Sequence, residues 1–248
     1  MYRSGKEGIL VVWGILSSGK KILLSMMLGN KERYEDWLEV FRDFLSETDS
    51  PQAKRRRGLG EPVLGTTDGA PGLIKTFEQL FPETLRQRCL VHKKRNILNK
   101  VPQEATRGAK VYLDSIYYAP DYATAKLLAK EFKDKYNQKY PSAVKSFEED
   151  FEACIQHLKC PVGHRRSITT TNLVERSFLE EKRRSKVIPR FFDEKSGLAL
   201  CFATLIRASQ KWNKLGFTFE DQVKIMELRE ELGHKAIKEE INCRDSVK

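Results

Sequence analysis

Two carboxylates and one thiol–imidazole pair are the residues of this chain whose types and spacing could do chemistry. Asp68 stands where the apolar run Pro62–Thr67 gives way to Gly69, so its carboxylate can project beyond the C-terminal edge of a sheet. Open α/β sheets hold ligands at that edge. The same Asp-Gly pair is also an ordinary turn signal. Glu175 lies in Thr169-Thr-Thr-Asn-Leu-Val-Glu175-Arg. With Asn172 as N-cap it falls at the third helical position, where a capping box explains it without catalysis. It also heads a helix carrying Arg176, Lys182, Arg183, Arg184 and Lys186. An acid there suits a metal site beside a phosphate backbone as well as a solvated surface helix. Cys89-Leu-Val-His92 is a C-x-x-H pair. Cys154, His157, Cys160 and His164 could complete a zinc site with it only if a helical stretch folds back, and zinc spacing is stricter than this. A buried thiol beside a polar histidine is the plainer account.

Stepping along the chain, the apolar runs Ile9–Leu16 and Lys21–Leu28 flank Ser17-Ser-Gly-Lys20 and read as an antiparallel hairpin. Tyr34, Trp37, Leu38, Phe41 and Leu45 recur at helical spacing. Thr48–Glu61, with the basic run Lys54–Arg57, reads as an exposed loop. Pro62–Thr67 is a predicted strand, and Pro71 suits the first turn of the helix that carries Leu73, Phe77 and Leu80. Leu85–Val91 reads as a further strand and His92–Lys100 as the start of a helix. From Pro102 to His164 the pattern is helical throughout, with a single third helix expected from Pro141 to Cys160. A helix from Thr169–Asn172 to Val187, an apolar one over Gly197–Trp212 and an amphipathic one from Thr218 to Leu232 follow. These elements predict an α/β fold with a mixed sheet and an all-helical insertion. The divisions expected are 1–101 and 166–215 for the two parts of the sheet domain, 102–165 for the insertion and 216–248 for a last helix and polar tail.

Composition narrows the class. With 248 residues, 40% of them apolar, the chain can bury a core. Its longest apolar run is far short of the ~20 residues of a membrane span. No small-residue cleavage site follows that run, which speaks against a secretory signal. Five scattered cysteines form no repeating frame and point to a reducing, cytoplasmic compartment. A formal charge of +11 favours a polyanion as partner, nucleic acid first.

Several segments in fixed order carry more than any one alone. They are Thr66-Thr-Asp-Gly-Ala-Pro-Gly-Leu73, Phe81-Pro82, Gln87-Arg-Cys-Leu-Val-His-Lys-Lys-Arg-Asn96 and Thr170-Thr-Asn-Leu-Val-Glu-Arg176. With Gly29-Asn-Lys-Glu-Arg-Tyr-Glu-Asp-Trp37 before them and Arg183-Arg184 after, the chain resembles the mutator-type transposases of bacterial insertion sequences. The resemblance implies an RNase H-like core interrupted by a helical insertion. It also implies three acids, usually Asp, Asp and Glu, that hold two Mg²⁺ (or Mn²⁺) ions for in-line phosphodiester displacement. Asp68 matches the second acid and Glu175 the third. Cys89 and His92 match the family's C-x-x-H element, to which a structural role is assigned. Arg88, Lys93, Arg95, Arg176, Arg183 and Arg184 become candidates for phosphate contacts. The implied partners are the element's terminal inverted repeats and target DNA, met as a homo-oligomer on DNA.

The resemblance departs at the N-terminus. In the family the first acid precedes an aromatic residue on a strand ahead of Gly8–Leu16. Here Tyr2 matches that aromatic, so the acid is expected upstream of Met1, and Glu7 lies on the wrong side of the strand to replace it. The resemblance also leads one to expect that the end-recognising N-terminal region is missing. The expectation is a truncated transposase that binds DNA by charge without cleaving it. The alternative is a non-catalytic DNA-binding remnant or regulator of complete copies.

Overall fold

The computed structural model describes residues 8–29, 33–42, 59–188 and 193–234. Tyr2, Glu7, the Lys54–Arg57 run and the polar tail beyond His234 lie outside them.

Two short ladders and a majority of helix make up a mixed α/β fold. Strands β1 (Gly8–Ile15) and β2 (Lys21–Gly29) form the expected hairpin, in register from Gly8 opposite Gly29 to Ile15 opposite Lys21, with a bulge between Val12 and Trp13. Its turn contains Gly19 at φ +75°, whose carbonyl accepts the N–H of Leu215 at 2.9 Å. A Cβ at Gly19 would meet the Leu215 carbonyl oxygen at 1.8 Å, so only glycine allows this approach. Strands β3 (Leu64–Thr67) and β4 (Leu85–Arg88) pair in parallel, joined by helix α2 (Pro71–Leu80) as a crossover. Among the described residues the ladders remain separate, where the sequence predicted one mixed sheet.

Helices cover both faces. Alternation along β1 sends Leu10 to one side, against Trp37, Val40 and Phe41 of α1 (Tyr34–Arg42) and Phe77 of α2. Phe77 also fills the place of a side chain at Gly65 on β3, where a Cβ would come within 2.2 Å of the ring. Val11 points the other way, onto Cys201 and Leu205 of α10 (Glu194–Ser209) and Phe178 of α9 (Asn172–Ser185). Helix α11 (Phe219–Glu231) brings Leu228 against Leu85 and Cys160.

The helical part is one body with a core of its own. Leu90 and Ile97 of α3 (Leu90–Leu98) pack with Leu113 and Tyr117 of α4 (Gln103–Tyr117) and Phe132 of α5 (Tyr122–Tyr136). The single helix expected over Pro141–Cys160 is broken into α6 (Pro141–Glu148), α7 (Phe151–Cys154) and a 3₁₀ turn (Gln156–Lys159). Asp150 causes the first break, at φ +60° with its carboxylate 2.9 Å from Arg86 Nη2 and 3.8 Å from Arg88 Nε. A tertiary ion pair overrides the helical period there. Helix α8 (Val162–Ile168) completes this part.

Gln87, fully buried on β4, joins ladder to helices. Its amide N–H groups donate to the carbonyls of Cys154 (3.1 Å) and Arg88 (2.7 Å), and its oxygen accepts the backbone N–H of His157 at 2.8 Å. The His157 ring reaches the Tyr117 carbonyl through Nε2 at 2.9 Å. His157 therefore does not join a zinc set; its ring is committed to this network. Burial lowers its pKa from 6.5 to about 4. Between those values the unfolded chain binds a proton that the folded chain refuses, so stability is full above pH 6.5 and falls as pH drops toward 4. The loss should reach about 3 kcal/mol. Urea unfolding at neutral pH and in mild acid checks this, with His157→Gln losing that part of the pH dependence.

Candidate functional site

Strand β3 ends at Thr67, and the chain turns at Asp68-Gly69. Asp68 Oδ1 accepts the N–H of Ala70 at 3.1 Å, the hydrogen bond of a side-chain-stabilised turn. Gly69 has φ +97°, and a Cβ there would meet Arg88 Nη1 at 1.6 Å. The Arg88 guanidinium thus underlies the turn that carries Asp68. The neighbouring parallel strand ends in step, with the N–H of Cys89 donating to the Thr67 carbonyl at 2.8 Å. Asp68 and Cys89 leave the same edge of the ladder, the C-terminal one.

Glu175 is brought to that edge by the segment before its helix. The Thr66 hydroxyl donates to the Ile168 carbonyl at 2.5 Å, and the N–H of Leu90 donates to the Thr169 carbonyl at 2.9 Å. Helix α9 begins at Asn172 with Thr171 as N-cap and no side-chain capping bond. This corrects the expected Asn172 cap and capping box: Glu175 lies one position further in and closes no box. The Thr171 hydroxyl is turned to the Cys89 sulfur at 3.3 Å, and its N–H faces the same sulfur at 3.4 Å. His92 Nδ1 stands 3.2 Å from that sulfur, and His92 Nε2 is 3.8 Å from Glu175 Oε1. Helix α3 starts at Leu90, two residues before the expected position, because Cys89 already caps it in extended conformation. Cys89 and His92 therefore share one face of a first turn instead of ending a strand.

Cys89, His92 and Glu175 accordingly form a chain of contacts at the sheet edge from which Asp68 also leaves. Cys154, Cys160 and His164 do not join them. His164 Nε2 is engaged by the Gly216 carbonyl at 2.8 Å, and burial raises the Cys160 thiol to about 11. Among the described residues no three His, Cys, Asp or Glu side chains converge to hold a metal ion.

The six basic residues divide in two. Arg88 is 7% exposed and Lys93 3% exposed. Lys93 Nζ donates to the Glu149 carbonyl, and desolvation lowers its pKa. Both lie inside the protein and not along a surface. Arg95, Arg176, Arg183 and Arg184 are exposed, with Lys182 beside them. Arg183 pairs with Glu180 at 2.6 Å, a surface contact that solvent screens. Residues seven and eight after Glu175 recur on its face of α9, so Lys182 and Arg183 follow the carboxylate along one side. Sequence reasoning missed Thr171 and Asp150, whose partners are distant in the chain; no local signal marks either.

Comparison with known proteins places relatives beside this chain. Residues 3–215 match the family described as "Transposase, Mutator family". The transposase for insertion sequence element IS6120 of Mycolicibacterium smegmatis is 32% identical over 204 residues, covering 82% of this chain and 60% of that protein. The transposase for insertion sequence element IST2 of Acidithiobacillus ferrooxidans is 34% identical over 205 residues, 82% of this chain and 66% of that one. A transposase for IS256 in transposon Tn4001 of Staphylococcus aureus is 28% identical over 201 residues, 80% of this chain and 49% of its own length. The chain thus spans under two thirds of the length of each of these relatives.

Because Glu175 closes no cap and is half exposed, Glu175→Ala should move stability by less than about 0.5 kcal/mol. Thr171→Val, which removes the hydroxyl turned to Cys89, should cost about 1 kcal/mol. Urea unfolding of both variants at neutral pH measures the contrast.

Proposed function

Because the chain belongs to the Mutator family of transposases, we propose that it takes part in DNA transposition through the site at the β3–β4 edge. Asp68 and Glu175 are then two of three acids of a metal-dependent phosphodiester chemistry. The observation that carries this reading is that β3 ends just before Asp68 and that the segment leading into the Glu175 helix is bonded to Thr66 and Leu90, so both acids are carried to the C-terminal side of one parallel ladder. Both are oxygen donors of the kind that Mg²⁺ or Mn²⁺ prefers. When bound, such a pair of ions stabilises the attacking and leaving oxygens of the displacement. The donor types fit, and among the described residues no third acid joins them in a metal-holding group.

An RNase H-like sheet is part of the same proposal. Helix α9 packs on β1, while the segment just before it bonds to β3, and α2 covers Leu10 and Gly65 together. The same helices therefore span the two ladders.

The DNA backbone is taken to run along the exposed face of α9, on Arg176, Arg183 and Arg184, and past Arg95. Arg88 and Lys93 serve as interior supports, since a phosphate reaches neither. The terminal repeats and target DNA remain the substrates proposed, with assembly of copies on DNA.

The 248-residue chain by itself should bind terminal-repeat DNA without cutting it. Fluorescence anisotropy across a salt series should show log K falling against log[salt] with a slope of about −0.9 per neutralised phosphate. Removing Arg176 or Arg184 should reduce that slope by about one unit each. Binding that ignores salt overturns the DNA reading. Strand transfer in Mg²⁺ or Mn²⁺ that requires Asp68 and Glu175 overturns the incomplete set, and its absence supports a DNA-binding remnant or regulator.

A further inference from the structure

We propose that Cys89 and His92 are positioning residues for Glu175, linked as a relay in which the thiol sets the imidazole tautomer and the imidazole orients the carboxylate. The inference rests on the reading of Glu175 as a metal-binding acid.

The sulfur is the hub. Cys89 is fully buried at the N-cap of α3, and its sulfur receives the N–H and O–H of Thr171. Both Thr171 groups are donors in that contact, so the remaining hydrogen of the thiol has His92 Nδ1, at 3.2 Å, as its acceptor. A ring nitrogen that accepts leaves the proton of a neutral imidazole on the other nitrogen. That nitrogen, Nε2, is the one 3.8 Å from Glu175 Oε1. The opposite tautomer would set a lone pair against a carboxylate. Both ends of the chain therefore select the same proton position.

The local structure gives up something for this arrangement. A threonine N-cap ordinarily accepts an N–H of its own helix. Thr171 turns its hydroxyl to the Cys89 sulfur instead, and α9 starts without a side-chain cap. A broken local rule at a converging set of polar groups is the pattern expected of a functional site. The relay also accounts for the C-x-x-H spacing. On the first turn of α3, positions three apart lie on one face, so the sulfur and the ring can touch while Nε2 faces outward. Among the described residues His92 is the one side chain that faces the Glu175 carboxylate, and this long side chain would otherwise sample several rotamers.

Side-chain ¹H–¹⁵N NMR of the full chain at alkaline pH reads the tautomer directly. Wild-type His92 should show the Nε2–H form. Cys89→Ala should release it to a mixture of tautomers, and Glu175→Gln should shift its Nε2 signal. Mn²⁺ binding, followed by water-proton relaxation, is the second readout. His92→Ala should weaken Mn²⁺ binding about tenfold, as losing the partner of a metal-binding group does, and His92→Gln, which restores an N–H donor, should recover part of it. Circular dichroism checks that variants of the partly exposed His92 remain folded. An Nδ1–H form, or a ring signal indifferent to both Cys89 and Glu175, overturns the relay whatever Glu175 does. Mn²⁺ binding that depends on Glu175 and not on His92 overturns the positioning role and leaves the metal reading standing. Equal Mn²⁺ binding by the wild-type chain and Glu175→Gln overturns the metal reading, and the purpose assigned to the relay with it.

Discussion

Four residues, Ile168–Thr171, cross the C-terminal ends of β3 and β4, and the geometry of the site depends on that crossing. The Ile168 carbonyl takes the Thr66 hydroxyl, the Thr169 carbonyl takes the N–H of Leu90, and Thr171 closes on the Cys89 sulfur. A helix start leaves its first N–H groups without partners in the helix. At α3 one of those orphans is satisfied by the same segment that fixes α9. Strand end, helix start and the Glu175-bearing helix thus share one set of bonds, and none can shift alone.

Charge is sorted by depth around this edge. Arg86 sits between Glu78 and Asp150, Arg88 lies under the Asp68–Gly69 turn beside Asp150, and Lys93 ends on the Glu149 carbonyl. Buried cations need partners, because desolvation would otherwise make them costly. Asp150 and the Glu149 carbonyl, at the broken end of α6, supply three of these contacts and Glu78 of α2 the other, so a carboxylate of the helical insertion is set against Arg86 and Arg88 of the ladder. The outer cations of α9 and Arg95 keep their charge toward solvent. The +11 surplus is therefore only partly available to a polyanion.

Much of the fold was legible from period and turn chemistry. The hairpin, the Pro71 helix start and the all-helical stretch after Pro102 follow from local spacing, and local spacing survives packing when nothing opposes it. The errors fell where a distant residue intervened. Asp150 ended a helix to meet Arg86, Thr171 took the cap position from Asn172, and α3 began early to place Cys89 at its cap. Of the candidate site, Asp68, Cys89, His92 and Glu175 could all be singled out by residue type and motif order. Their mutual arrangement could not, and neither could the burial of Arg88 and Lys93, which look like any surface cations in a row of letters.

By itself the sequence determined the element types, the +11 charge and a motif order specific enough to identify the family, because each is a property of neighbouring residues or of their order. Tertiary structure alone decided which groups meet: that Thr171 and His92 converge on one sulfur, that His92 faces Glu175, and that Gln87 joins ladder to helices through His157. Those contacts form between segments far apart in the chain, where strand pairing and helix docking, and no local periodicity, set the distances.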